Sequence, residues 1–283
     1  MGMNHEIGRF ETACIKVMMP VLFRSVYGWR NKDAAAEQGE RFDIHGVDGS
    51  ILKAIRFTTA RAPAKGIVLL CHPFLKYGMD YFVKNNYHEW LNDAGYDVVA
   101  FNFKGFGTSS VSGIAFSDDV QSAAQWIAER QPELPLHLLG VSFGAYHSVH
   151  GIARHEMRFA SALFDSVPME ISSFFSAGAF GAVMRWLSRS RWGHPTGTKP
   201  LDDSLPALSE TPCQFLFGRN DKLISSSEIS RLRVNCPNAG VVLYDDCGHL
   251  ELRKTHPRRY ISDITNFFDL HGAAQRAPKY LNE

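Results

Sequence analysis

Apolar residues recur along this chain in two rhythms. Short unbroken runs suit strands covered on both faces: "GIVLLCH" (66–72), "YDVVAFNF" (96–103), "LPLHLLG" (134–140), "FASALFDS" (159–166), "CQFLFG" (213–218) and "GVVLYDD" (240–246). Longer stretches lie between them. "YFVKNNYHEWLNDAG" (81–95) predicts one helix stopped by Gly95, and "SDDVQSAAQWIAER" opens on a Ser-Asp capping signal and runs to about Arg130. Further helices are predicted after Ser142, near Ser226–Val234 and over "PRRYISDITNFFDL" (257–270). Upstream, "RFDIHGVDGSILKAIRFTT" alternates and breaks at Asp48-Gly49, a hairpin that adds antiparallel strands at one edge. Strands alternating with helices predict βαβ units in a mostly parallel sheet with helices on both faces. Residues 168–210 break the rhythm and are too long for an ordinary loop. They are read as a cap insert, helical at first, over the carboxyl edge of the sheet, where ligands bind in such architectures.

Composition changes this picture little. The 283 residues are 45% hydrophobic and 21% charged, with a formal net charge of +1. That is ordinary globular usage without a global pull toward nucleic acid. Cys14, Cys71, Cys213, Cys236 and Cys247 are odd in number, widely spaced and free of CxxC, which fits a reducing, cytoplasmic setting. The N-terminal stretch "ETACIKVMMPVLFRSVYGW" does not read as a secretory signal and is too short in its apolar part to span a bilayer. It is expected to pack on its own domain; a peripheral membrane contact or a homodimer contact are the alternatives.

The stretch "LHLLGVSFGAYHSVHG" (136–151) carries the chemistry. Gly140, Ser142 and Gly144 close an apolar strand and open a helix, the strand–turn–helix context in which GxSxG lifts a serine clear of a sheet. A serine hydroxyl needs a base. His249, in "DDCGHLELR", sits in a loop after a strand and before the last helix. A base needs a carboxylate to hold its tautomer, and Asp221 in "CQFLFGRNDKL" lies just beyond the preceding strand.

With serine, acid and base in that order, the chain resembles the α/β-hydrolase family over nearly all of residues 41–271. "FNFKGFGTSS" (101–110) is similar to the family's Gly-rich turn after the fourth strand, with Asn102 and Lys104 in place of the usual Asp and Arg. "LLCHPF" is similar to the His-Gly turn after the third strand, with Pro73 where glycine is common. The resemblance implies an α/β-hydrolase domain (41–283) with its cap insert, preceded by an N-terminal helical extension (1–40). It also implies an oxyanion hole built from backbone N–H groups. Phe143 suits the first; Pro73 has no N–H, so Phe74 is the second candidate and Leu75 the next. Some members carry the acid after the previous strand, where "LFDSVP" offers Asp165.

Other residues have plainer expectations. His72 is read as a hydrogen-bonding residue of its turn, Asp245 and Asp246 as strand-end residues, and Cys71 and Cys247 as small buried side chains. His147 and His150 stand three apart on the helix after Ser142, yet no third metal ligand suggests itself. In the insert, Phe174, Phe175, Phe180 and Met184 suit the wall of an apolar acyl pocket, and Arg185, Arg189 and Arg191 suit an anion.

The expected function is that of a serine hydrolase that cleaves a small-molecule ester or thioester with an apolar acyl group through an acyl-enzyme, with no cofactor and no metal. One alternative is a thioesterase or acyltransferase working on acyl groups carried by coenzyme A or an acyl carrier protein. Another is a non-catalytic binding member of the fold.

Overall fold

The computed structural model describes residues 39–75, 77–110, 115–170 and 199–272. The N-terminal extension up to residue 38 lies outside them, as does the stretch 171–198 with Phe174, Phe175, Phe180, Met184, Arg185, Arg189 and Arg191.

Eight strands form one sheet: β1 (Glu40–His45), β2 (Ile51–Phe57), β3 (Gly66–Cys71), β4 (Tyr96–Phe101), β5 (Leu136–Val141), β6 (Ser161–Asp165), β7 (Cys213–Gly218) and β8 (Gly240–Tyr244). Their spatial order is β1-β2-β4-β3-β5-β6-β7-β8. β2 pairs antiparallel with β1 and with β4, and the remaining pairs are parallel. The β1–β2 hairpin turns where expected, with Gly49 at φ +77°.

The central strands are buried throughout because both of their faces are covered. Alternation along β3 divides the core: Ile67, Leu69 and Cys71 join one cluster, and Val68 and Leu70 the other. The first cluster is completed by α3 (Phe116–Arg130) and α4 (Phe143–His155), the second by α2 (Tyr87–Ala94) and α7 (Pro257–Gly272). α5 (Ser226–Asn235) follows β7, and the short α6 (Leu252–Thr255) precedes α7.

Two helix boundaries differ from the sequence pattern. The single helix expected over 81–95 is two, α1 (Asp80–Lys84) and α2, separated by Asn85 and Asn86. Asn86 takes a left-handed conformation, φ 54°, which asparagine tolerates and which ends the run of helical backbone. The Asn85 side chain turns back to donate to the Tyr81 carbonyl. Ser117 does not cap α3: the helix begins one residue earlier, and Ser117 is buried inside its first turn. Asp119 of that turn is instead taken up by Lys104, which overrides the local capping signal.

The two ends of the stretch that crosses from β6 to β7 are tied together. Leu201 N–H donates to the Met169 carbonyl at 3.0 Å, and Arg231 meets both Glu170 and Asp202. The return carries two short 3₁₀ helices, Leu201–Asp203 and Leu205–Glu210, and α4 holds it through Tyr146 and His150, both bonded to the Lys199 carbonyl.

Candidate active site

Ser142 stands between β5 and α4 at φ 49°, ψ −107°, a strained conformation for a residue with a side chain. The turn is tight enough to exclude side chains on both flanks. A Cβ on Gly140 would lie 2.6 Å from the Ala145 Cα, and one on Gly144 would lie 2.0 Å from the Cys71 carbonyl oxygen. Ser142 N–H donates to the Asp165 carbonyl at 2.8 Å, and its own carbonyl accepts the Tyr146 N–H. The hydroxyl is thereby held at the carboxyl edge of the sheet.

Asp221 and His249 come from the loops that follow β7 and β8. The two loops are stitched together: Asn220 N–H donates to the Cys247 carbonyl at 3.0 Å, and Arg219 N–H to the Tyr244 carbonyl at 2.9 Å. Glu251 accepts the Gly248 N–H, closing the His249 loop on itself. One Asp221 oxygen accepts the backbone N–H groups of Leu223 and Ile224, at 2.8 and 3.2 Å, which fixes the carboxylate. Its other oxygen lies 2.8 Å from His249 Nδ1, and His249 Nε2 lies 2.9 Å from Ser142 Oγ. With Nδ1–H donating to Asp221, Nε2 is left to accept the serine proton. The Asp221 side chain is 1% exposed and that of His249 14%, so the pair is shielded while the imidazole still reaches the surface.

Asp165, the alternative acid, is not bonded to His249. Its oxygens accept from Tyr260 OH and Ser166 Oγ. Asp245 is exposed and paired with Arg219. Leu75 spends its N–H on the Pro73 carbonyl, 2.8 Å away, which takes it out of the oxyanion candidates. Phe74 and Phe143 lie side by side, ring centroids 5.3 Å apart, so the two donor candidates belong to neighbouring backbone segments. Phe106 and Phe116 pack around Phe143, and the three rings are buried together in the core on this side of the site.

His72 is fully buried, bonded through Nδ1 to the Pro73 carbonyl at 2.8 Å and through Nε2 to the Phe103 N–H at 3.2 Å. The second bond makes Nε2 an acceptor, so Nδ1 carries the proton. Burial pushes its pKa down to about 4 against the weaker upward pull of Pro73, and the ring acts as a neutral brace between two turns. Asn102 accepts the Met79 N–H and fills space between Gly78 and Gly107. Lys104 is 1% exposed and reaches Asp48 at 2.6 Å and Asp119 at 3.0 Å. Burial drives the Asp119 carboxyl up to about 7 even though Lys104 pulls it down. This ionic cluster clamps the 102–110 turn to the hairpin and to α3. Nothing in the local sequence signals it, because its three members lie far apart along the chain.

His150 is bonded to Ser204 and to Lys199, and His147 is 1% exposed among Phe116, Phe143 and Tyr146. Among the described residues no three His, Cys, Asp or Glu side chains converge as metal ligands. Cys71 lies fully buried, and burial pushes its thiol up to about 12. Among the described residues no helix is long and apolar enough to cross a membrane.

Known proteins resemble this arrangement at several levels. Residues 62–194 match the family described as serine aminopeptidase, S33. An uncharacterized protein of Rickettsia prowazekii (strain Madrid E) is 32% identical over 184 residues, a match covering 62% of this chain and 66% of that protein, just under two thirds. An esterase of Pyrococcus furiosus superposes with a TM-score of 0.66 at 17% identity, over 83% of this chain and 93% of that one. A Xanthomonas campestris protein described as a serine hydrolase without lid gives a TM-score of 0.54 at 19% identity, over 86% of this chain and 97% of its own. At such identities the two solved structures bear on the fold alone.

Proposed function

We propose that this chain, which has the fold of the α/β hydrolases, is a serine hydrolase that cleaves an ester or thioester with an apolar acyl group. The observation that carries the reading is the continuous chain Ser142 Oγ–His249–Asp221 at 2.9 and 2.8 Å, with the serine on a positive-φ turn. Ser142 attacks the carbonyl carbon as His249 Nε2 takes its proton. Asp221 keeps the imidazole in the accepting tautomer and stabilises the imidazolium. The Phe143 N–H, at the amino end of α4, and the Phe74 N–H receive the oxyanion. His249 then protonates the leaving group, and water, activated by the same imidazole, releases the acyl group from Ser142. This chemistry calls for no cofactor. The aromatic cluster of Phe74, Phe106, Phe116 and Phe143 next to Ser142 supports an apolar acyl part. The odd number and wide spacing of its five cysteines support a cytoplasmic setting for the protein.

The test is a panel of p-nitrophenyl esters of graded acyl length beside acyl-CoA thioesters, with Ser142→Ala as control. Turnover that rises with acyl length and vanishes in the control supports the reading. A wild-type protein inert toward the panel and toward a fluorophosphonate probe overturns it. The match to the serine aminopeptidase family favours a second reading, hydrolysis of an amide at a peptide amino end, so aminoacyl p-nitroanilides belong in the same panel.

A further inference from the structure

The carboxyl edge of the sheet holds a second buried carboxylate. β6 lies between β5 and β7. β5 delivers Ser142 and β7 delivers Asp221, and His249 bridges the two. Its imidazole therefore spans the gap whose floor is the end of β6, and the last residue of β6 is Asp165. The Asp165 carbonyl already anchors the Ser142 N–H.

The Asp165 side chain is 2% exposed and gripped by two hydroxyl groups. Ser166 Oγ donates to one oxygen at 2.8 Å and Tyr260 OH to the other at 2.7 Å. Tyr260 OH lies 3.2 Å from Tyr87 OH, and both phenols are fully buried. With the Tyr260 proton committed to Asp165, Tyr87 is the donor to Tyr260. With both hydroxyls donating, the carboxyl accepts at both oxygens, the bonding pattern of a carboxylate. Burial, with a smaller part from Asp221, raises its pKa above the ordinary carboxylate value, while Tyr260, Ser166 and a positive His249 pull the other way. Tyr81, Tyr87, Tyr244 and Cys247 are further titratable groups around it. Holding a charge here is costly, and the main-chain bond to Ser142 would survive with any residue at this position.

We propose, resting on the serine-hydrolase reading above, that Asp165 is a positioning residue of the site. It is a fixed negative charge beneath His249 that shares with Asp221 the stabilisation of the imidazolium. The proton passes from Ser142 Oγ to His249 Nε2; Asp165 and Asp221 exchange none.

The experiment is the pH dependence of Ser142 labelling by a fluorophosphonate, in which the serine oxygen forms the bond to phosphorus, fluoride leaves and His249 takes the proton. Asp165→Asn should move the acid-side midpoint of labelling down by about one pH unit, a tenfold change in proton affinity. Ser166→Ala, which trims the same cluster but keeps the charge, should leave the midpoint in place. A wild-type midpoint in Asp165→Asn, or an equal shift in Ser166→Ala, overturns the proposal while leaving the hydrolase reading intact. Absence of labelling in the wild type overturns both. Should Asp165→Asn not fold, Asp165→Leu combined with Tyr260→Phe removes charge and donor together, and the same midpoint is read with the same expected shift.

Discussion

The nucleophile side of the site and its base–acid side are built in opposite ways. Ser142 is placed by close backbone contact: β5 and α4 meet at a turn where Gly140 and Gly144 leave no room for a methyl group. His249 and Asp221 are placed by hydrogen bonds between two loops at the rim, where Arg219, Asn220 and Glu251 are exposed. The difference teaches that the serine's position is a packing property of the core, whereas the base's position is a polar network that solvent can reach. Changes on the first side should therefore damage the fold, and changes on the second should damage chemistry while the fold survives.

The largest effect expected is on turnover and comes from the one substitution on the nucleophile side that leaves packing alone. Ser142→Ala should lower kcat by a factor on the order of 10⁶, with an unchanged melting temperature or a slightly raised one. Steady-state assays beside a thermal melt check this, and retained activity would remove Ser142 from its role. Asp221→Asn should come next, costing about 10⁴ in kcat because the imidazole loses its tautomer, again with a cooperative melt.

Gly144→Ala should reverse the pattern. Its Cβ would meet the Cys71 carbonyl oxygen at 2.0 Å, so backbone rather than a flexible side chain must move. A loss of roughly 3 kcal/mol or more, or no soluble protein, is expected. Denaturant unfolding measures it, and a wild-type midpoint would show that the turn is looser than described.

A smaller effect separates the sides by pH. His72, behind the oxyanion turn, has its pKa lowered by burial to about 4. A histidine with a depressed folded pKa contributes stability that is present above its unfolded value, near 6.5, and is lost as pH falls toward 4. The bound is about 3 kcal/mol from His72 at the acid end of that window. Melting temperature recorded from pH 7 to pH 4 should fall, and should fall less in His72→Gln relative to its own neutral value. The smallest effect belongs to the rim: Arg219→Gln breaks an exposed ion pair with Asp245 and should change stability by under about 1 kcal/mol.

Much of this was legible in the chain because the signals are local. Unbroken apolar runs mark strands covered on both faces, and each quoted run contains or matches a strand of the sheet. The GxSxG segment predicts its own turn, since glycine's freedom and the serine's strain reside in five consecutive residues. The helix break at Asn85-Asn86 and the uncapped start of α3 were not legible. Both depend on what the segment packs against: a left-handed Asn is one of several local options, and Asp119 faces a lysine 15 residues earlier. The Asp48–Lys104–Asp119 cluster was hidden for the same reason.

The two candidate acids mark the boundary between sequence and tertiary structure. By itself the chain determined that the architecture is a strand–helix alternation, that Ser142 closes a strand and opens a helix, and that acidic residues follow two consecutive strands, at Asp165 and Asp221. It favoured Asp221 as the partner of His249 and kept Asp165 as the alternative, because the two patterns are alike: a carboxylate at the carboxyl end of an apolar run. Tertiary structure decided it through strand order and loop bonding. The loop after β7 carries Asp221 up to the level of the imidazole and pins it with two amides, while Asp165 ends its strand lower down, within reach of Tyr260 from a helix 95 residues away. Side-chain partners at such separations are set by how layers pack, and packing is a property of the whole fold rather than of any window along the chain.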